Sequence, residues 1–153
     1  MEVLAEVLIK TFNNRKGVGI VTHYDQATQK GVFLGLYDTG NTDGMTLSTF
    51  DGTTGKLTGT IAGANLFLGT KIQENVWYSL DVDVCYDAGL DKMVAEASVE
   101  NIAGNPALSE EFEIVADWPD GIPHSGQIGI AGWAKSSFVN SSVRNFHWGP
   151  FDE

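Results

Sequence analysis

Cysteine is almost absent. Cys85 is the single one in the 153-residue chain, so no internal disulfide can form, and no cysteine spacing suggests zinc. Nothing in its neighbourhood suggests an activated thiol, and it reads as an inert structural cysteine. Basic residues are scarce too, 9 against 20 acidic, for a net charge of −11. A field of that sign repels phosphate backbones and anionic headgroups, which argues against nucleic acid and anionic membranes as partners. Uncharged sugars, cations and basic surfaces remain. No apolar run approaches the roughly 20 residues of a membrane span, so no membrane insertion is expected. The segment after Met1 lacks the basic start and apolar block of a signal peptide. The chain is therefore expected to act within a cell or a virion, or to be part of a longer secreted one.

Helical periodicity is missing throughout, and two-residue alternation stands in its place. From Val76, the positions Val76, Tyr78, Leu80, Val82, Val84 and Tyr86 alternate with Trp77, Ser79, Asp81, Asp83 and Cys85. Asp87-Ala88-Gly89 supplies turn residues, and Met93, Ala95, Ala97 and Val99 then alternate with Val94, Glu96, Ser98 and Glu100. This pattern predicts a long antiparallel hairpin with one face on a core and one half polar face outward. It is placed at the centre of a sandwich.

The remaining chain adds short strands between turn-rich stretches. They are expected near Val3–Thr11, Val18–Tyr24, Val32–Tyr37, Met45–Phe50, Lys56–Thr60, Glu111–Ala116, Gly126–Trp133 and Phe138–Trp148. Leu66-Phe67-Leu68 reads as either a strand or an apolar plug. Pro119 and Pro123 bracket a stiff connection that cannot continue a central strand. Eighteen glycines suit a fold rich in tight turns. The expectation is one all-β domain over 1–153, a sandwich or barrel.

Several stretches, taken in order, carry a resemblance. They are Gly19-Ile20-Val21-Thr22-His23-Tyr24, Gly31-Val32-Phe33-Leu34-Gly35-Leu36-Tyr37, Trp77-Tyr78-Ser79-Leu80-Asp81-Val82, Gly126-Gln127-Ile128-Gly129-Ile130 and Val143-Arg144-Asn145-Phe146. This series resembles the concanavalin A-like lectin/glucanase superfamily, in particular its laminin-G-like jelly rolls found in carbohydrate-binding modules and phage or virion surface proteins. The resemblance runs from about Val3 to Trp148. It implies an antiparallel two-sheet jelly-roll sandwich whose last strand lies beside the first. It also implies calcium at a loop, and a virion or extracellular setting. Fold resemblance says little about function by itself.

Glucanases of this superfamily carry two glutamates flanking an aspartate on one strand, to supply the acid and the nucleophile. Glu111 and Glu113 share a strand face here, but the intervening Asp is missing, and Asp81 and Asp83 read as solvated outer-face acids. His23, His124 and His147 have no G-x-S-x-G nucleophile to serve. No enzyme activity is expected.

Sugar recognition needs aromatic faces beside amide or carboxylate groups. His23, Phe33, Tyr37 and Trp133 are the candidates for one concave surface, with Asp81 or Asp83 beside them. Trp118 fits either a site rim or a loop anchor. Calcium wants clustered carboxylate and carbonyl oxygens. Asp38 with Asp43 is the chosen pair, and Asp87 with Asp91 and Asp117 with Asp120 are others; turn-forming Asp competes with each. Asn140-Ser141-Ser142 is a glycosylation sequon, relevant only in a eukaryotic secretory setting. The expected function is a non-catalytic carbohydrate-binding or adhesion module with a glycan partner. The alternative is a structural interaction domain of a phage tail or capsid decoration that contacts a protein surface without binding glycan, and a glycoside hydrolase is the third reading.

Overall fold

A computed structural model describes residues 2–10, 16–38, 43–68, 72–105, 107–134 and 141–149, with side chains except at 16, 38, 62–67, 133 and 134. Among these residues there is no helix. Ten strands run in chain order: β1 (Glu2–Ile9), β2 (Lys16–Asp25), β3 (Lys30–Asp38), β4 (Asp43–Asp51), β5 (Lys56–Phe67), β6 (Trp77–Asp87), β7 (Lys92–Asn101), β8 (Ser109–Ala116), β9 (Gln127–Ala134) and β10 (Ser141–Gly149). They form two antiparallel five-stranded sheets, ordered β10-β1-β6-β7-β8 and β5-β4-β3-β2-β9.

The hairpin expected from Val76 onward is β6–β7, and β6 is the middle strand of the first sheet. Its alternation has a simple outcome: Tyr78, Leu80, Val82 and Val84 are buried, while the intervening side chains stay partly exposed. β1 alternates in the same way. Its Val3, Ala5, Val7 and Ile9 join a core with Val18, Ile20, Val32, Leu34, Leu36, Met45 and Leu47 of the second sheet. The two sheets therefore pack face to face over one shared core. Burial of so many branched side chains, each contributing about 1.5–3 kcal/mol, is what holds them together.

β10 pairs with β1, so the end of the chain lies beside its beginning. A bulge at Asn145, where φ is +52°, turns Asn145 and Arg144 onto Glu6. Arg144 also covers the Trp77 ring, 3.9 Å from its centroid. The ambiguous stretch after Thr60 continues β5 to Phe67, and Leu68 is buried in the core as a plug would be.

The second sheet is strongly curled. Cα atoms of its two edge strands, β5 and β9, come within 8 Å of each other although three strands lie between them. Strands spaced about 4.8 Å apart would hold them roughly 19 Å apart in a flat sheet. Leu57 of β5 and Ala131 of β9 both belong to a second apolar cluster around Phe33, on the face away from the shared core. The sheet curls around that cluster. Two glycines make the centre of the curl possible. Gly19 and Gly35 are direct partners across β2 and β3, and a Cβ on either would lie within 2.5 Å of the other's Cα.

Candidate functional site

The sequence places His23, Phe33, Tyr37 and Trp133 on one concave surface. Their strands are indeed neighbours, in the order β3-β2-β9. Phe33 and Tyr37 do share the concave face, both close to Gly17. Phe33, however, is 0 % exposed and serves as the centre of the second apolar cluster, so it offers no ring to a ligand. Trp133 pairs with Gly17 through the backbone; its side chain lies outside the described residues.

His23 departs from this face altogether. Pairing with β3 passes from Thr22↔Val32 to Asp25↔Lys30, and pairing with β9 passes from Val21↔Gly129 to Tyr24↔Gln127. β2 thus carries one extra residue opposite both neighbours, and His23 adopts φ +53°. A bulge of this kind re-aims a side chain. The imidazole turns to the end of the shared core, where its ring meets Trp118 edge-on at 4.9 Å and Nδ1 lies 3.0 Å from the Thr22 hydroxyl.

Four rings meet there. Trp118 stands edge-on to His23, to Tyr86 at 5.9 Å and to His124 at 5.0 Å, while Tyr86 and His124 stack at 3.6 Å. The Trp118 indole N–H donates to the Ile122 carbonyl at 2.7 Å, which fixes the Pro-bracketed connection against the core. Trp118 is therefore the loop anchor, and it also sets the rings around it. Beside them lies a cleft of about 350 Å³ lined by Thr22, His23, Val84, Cys85, Tyr86, His124, Ser125, Gly126 and Ile128. Burial first, then the charge of the amino terminus and the neighbouring His124, hold His23 far below its ordinary value, at about 4; Asp83 pulls the other way. The imidazole is neutral near pH 7. The cleft can offer ring faces, hydroxyls and a neutral imidazole to a small polar ligand.

No protein-family description matches the chain. No curated protein matches it either. Among solved structures the chain is similar to the tail fiber protein gp63.1 of an E. coli phage, with a TM-score of 0.41 and 12% identity. The match covers 99% of this chain and 16% of that one. A likeness at that TM-score settles neither the fold nor the role of this chain.

Asp81 and Asp83 lie on the other sheet, on its outward face, and do not border the concave surface expected to include them. Cross-strand register gathers them with other acids. Glu2, Asp83, Glu96 and Glu113 form one row across β1, β6, β7 and β8, and Asp81 and Glu111 flank Ser98 in the next. These residues line a trough of about 460 Å³. The two acidic pairs noted in the sequence thus meet on one face, which strand spacing alone does not reveal.

Burial, then the charge and hydrogen bond of Glu2, then the Asp83 and Glu96 charges raise Asp81 to about 6. The folded protein therefore binds this proton more readily than the unfolded chain. The penalty is fully present above pH 6 and is relieved as pH falls from about 6 to 4. Asp81→Asn should raise stability at pH 7 by about 1 kcal/mol, a figure already reduced for the group's solvent exposure. The gain should vanish near pH 4. His23 has the opposite slope, since a depressed histidine loses stability as pH falls from about 6.5 to 4. Urea midpoints of the variant minus the wild type, taken across this range, isolate Asp81. A difference independent of pH would contradict the assignment.

For calcium the sequence selects Asp38 and Asp43, which are register partners at the end of β3 and β4. One carboxylate oxygen of Asp43 accepts the Ile72 N–H at 2.7 Å, and its carbonyl accepts the Leu68 N–H at 3.0 Å. Asp43 thereby fastens the chain leaving β5. The Asp38 side chain lies outside the described residues. In the other pairs, Asp87 accepts the Gly89 and Leu90 N–H groups as a turn residue, Asp91 accepts the Tyr86 hydroxyl, and Asp117 is ion-paired with Lys92. Among the described residues no three acidic, histidine or cysteine side chains form a group that could hold a metal ion.

Proposed function

We propose that the chain is a non-catalytic carbohydrate-binding or adhesion module of concanavalin A-like jelly-roll type, carried by a virion or cell-surface assembly. Its glycan site is the cleft at the end of the shared core. One observation carries this reading. Tyr86, Trp118, His23 and His124 converge beside a cleft that also presents Thr22 and Ser125. Sugars present alternating C–H faces and hydroxyls. An aromatic platform beside a few hydroxyl and imidazole groups matches that pattern, and about 350 Å³ lies within the range of small-ligand sites. The two antiparallel sheets, one of them curled, are compatible with the jelly-roll assignment.

A glycan array probed with the wild type and with His124→Ala tests the reading. Wild type should bind a defined set of glycans, and loss of the stacked imidazole should weaken that binding by about tenfold, as loss of one ring contact would. Running the array with calcium and with a chelator tests whether a cation at Asp38 and Asp43 takes part. Absence of binding under both conditions would count for the alternative, a structural domain that docks on protein. Turnover of a polysaccharide that disappears in Glu111→Gln would overturn the non-catalytic assignment.

A further inference from the structure

Among the described residues the two open sheets have four edge strands, β10 and β8 in the first and β5 and β9 in the second. Each edge leaves a row of backbone N–H and C=O groups outside its ladder, and a chain that stays single blunts such rows with charges or bulges. Three of the four are blunted. β8 carries Glu110, Glu111 and Glu113, all exposed. β10 is bent by its bulge at Asn145, beside the Arg144–Glu6 ion pair. β5 starts on Lys56, and its ladder to β4 slips twice. β9 has no such device. None of the eight residues of Gln127–Ala134 is charged. The bulge in its ladder to β2 puts the extra residue on β2, so β9 itself runs straight. β5 comes near it across the curl but forms no ladder with it.

The side of the sandwich that β9 borders is also apolar. β1 meets β2 across the core and β5 meets β8, so β9 and β10 edge the same side. Ile128 and Ile130 of β9 and Phe146 of β10 pack against the shared core yet are only partly buried. Beyond them on β10, Val143 is 38 % exposed and Trp148 60 %.

We propose that the outer edge of β9 is where two copies of this chain meet, strand against antiparallel strand about a two-fold axis. Charge selects the occupant. A basic partner would gain most against the carboxylates on the outer face of the first sheet, and a neutral strand offers it nothing. Two copies at −11 each repel one another, and they can join only where no carboxylate faces its like. A second β9 meets that condition along its whole length. Two-fold pairing satisfies both backbone rows at once, and it closes after two copies because no β9 edge is left for a third.

Sedimentation velocity of the full chain over a wide concentration range tests this. The wild type should shift towards twice the mass of one chain, and high salt should strengthen the association by screening the repulsion of the two net charges. A Cβ at Gly129 meets nothing within 4 Å, so Gly129→Glu should keep the fold while setting a carboxylate on each β9. Its dissociation constant should rise about tenfold or more. Glu113→Gln, on the far side of the first sheet, should leave the dimer in place. Backbone amide exchange in the wild type gives a second readout that needs no variant: β9 should exchange more slowly as concentration rises, and β8 should not. A single-chain mass at every concentration would overturn the proposal. So would a dimer that survives in folded Gly129→Glu but dissociates in Trp148→Ser, because that places the contact on β10. Association weakened by salt would overturn the charge argument, and a mass that grows past two copies would overturn the two-fold closure.

Discussion

Replacing Gly35 by valine is expected to destabilise the protein by about 3 kcal/mol or more, enough to leave much of the chain unfolded. A Cβ at this position would lie 2.4 Å from the Gly19 Cα, 2.5 Å from the Val18 carbonyl oxygen and 2.9 Å from the Phe33 Cζ. Two of those atoms are backbone and cannot swing aside. Relief would require β2 and β3 to separate at the middle of the second sheet, or Phe33 to leave the cluster it centres. Gly129 provides the contrast, because a Cβ there would meet nothing within 4 Å. Gly129→Ala should change the urea midpoint little, whereas even Gly35→Ala should lower it clearly. Similar midpoints for the two alanine variants would mean that the close approach of the strands is not what the glycine serves.

That contrast shows how legible the fold is. Alternation is a direct readout of a half-buried strand, so β1, β6 and β7 can be placed from side-chain polarity alone. Polarity gives the facing of a strand and leaves its neighbours open. Glu111 and Glu113 can be seen to share a face, and so can Asp81 and Asp83; that β8, β7, β6 and β1 align these acids in rows is a property of long-range register. Phe33 misleads for a related reason. Its position opposite Val32 and Leu34 marks an outward face, and an outward face is exposed only if the sheet is flat. Here the sheet curls and buries it.

His23 meets a different limit. Counting alternate residues from Gly19 assumes an unbroken strand, and one inserted residue reverses every assignment beyond it. No residue near His23 marks the bulge, since a histidine at positive φ leaves no compositional trace of the kind a glycine would. The ring cluster that receives it is half visible. Trp118 and His124 lie in a connection stiffened by Pro119 and Pro123, and such loops are where binding residues concentrate. Tyr86 gives no separate signal, because the alternation that marks it also marks every buried residue of β6.

Trp118→Ala carries the second large effect, on stability and binding together. The indole packs against the shared core, stands edge-on to three rings and ties down its own loop through the Ile122 carbonyl. Truncation should cost about 2 kcal/mol, less than for a fully buried tryptophan because Trp118 is only partly buried, and leave that carbonyl without its donor. If the cleft is the glycan site proposed above, affinity there should fall by more than tenfold, because His23, Tyr86 and His124 lose the ring that fixes their relative orientation. Trp118→Phe separates the two effects. It keeps most of the packing and removes the N–H, so stability should recover in large part while the loop remains less firmly held. If affinity also recovers fully in Trp118→Phe, shape alone orders the cleft. If affinity stays low in a variant that is folded at the assay temperature, the Ile122 tether sets the position of His124, only two residues beyond it. Unchanged glycan binding in a folded Trp118→Ala protein would remove the ring cluster from the site.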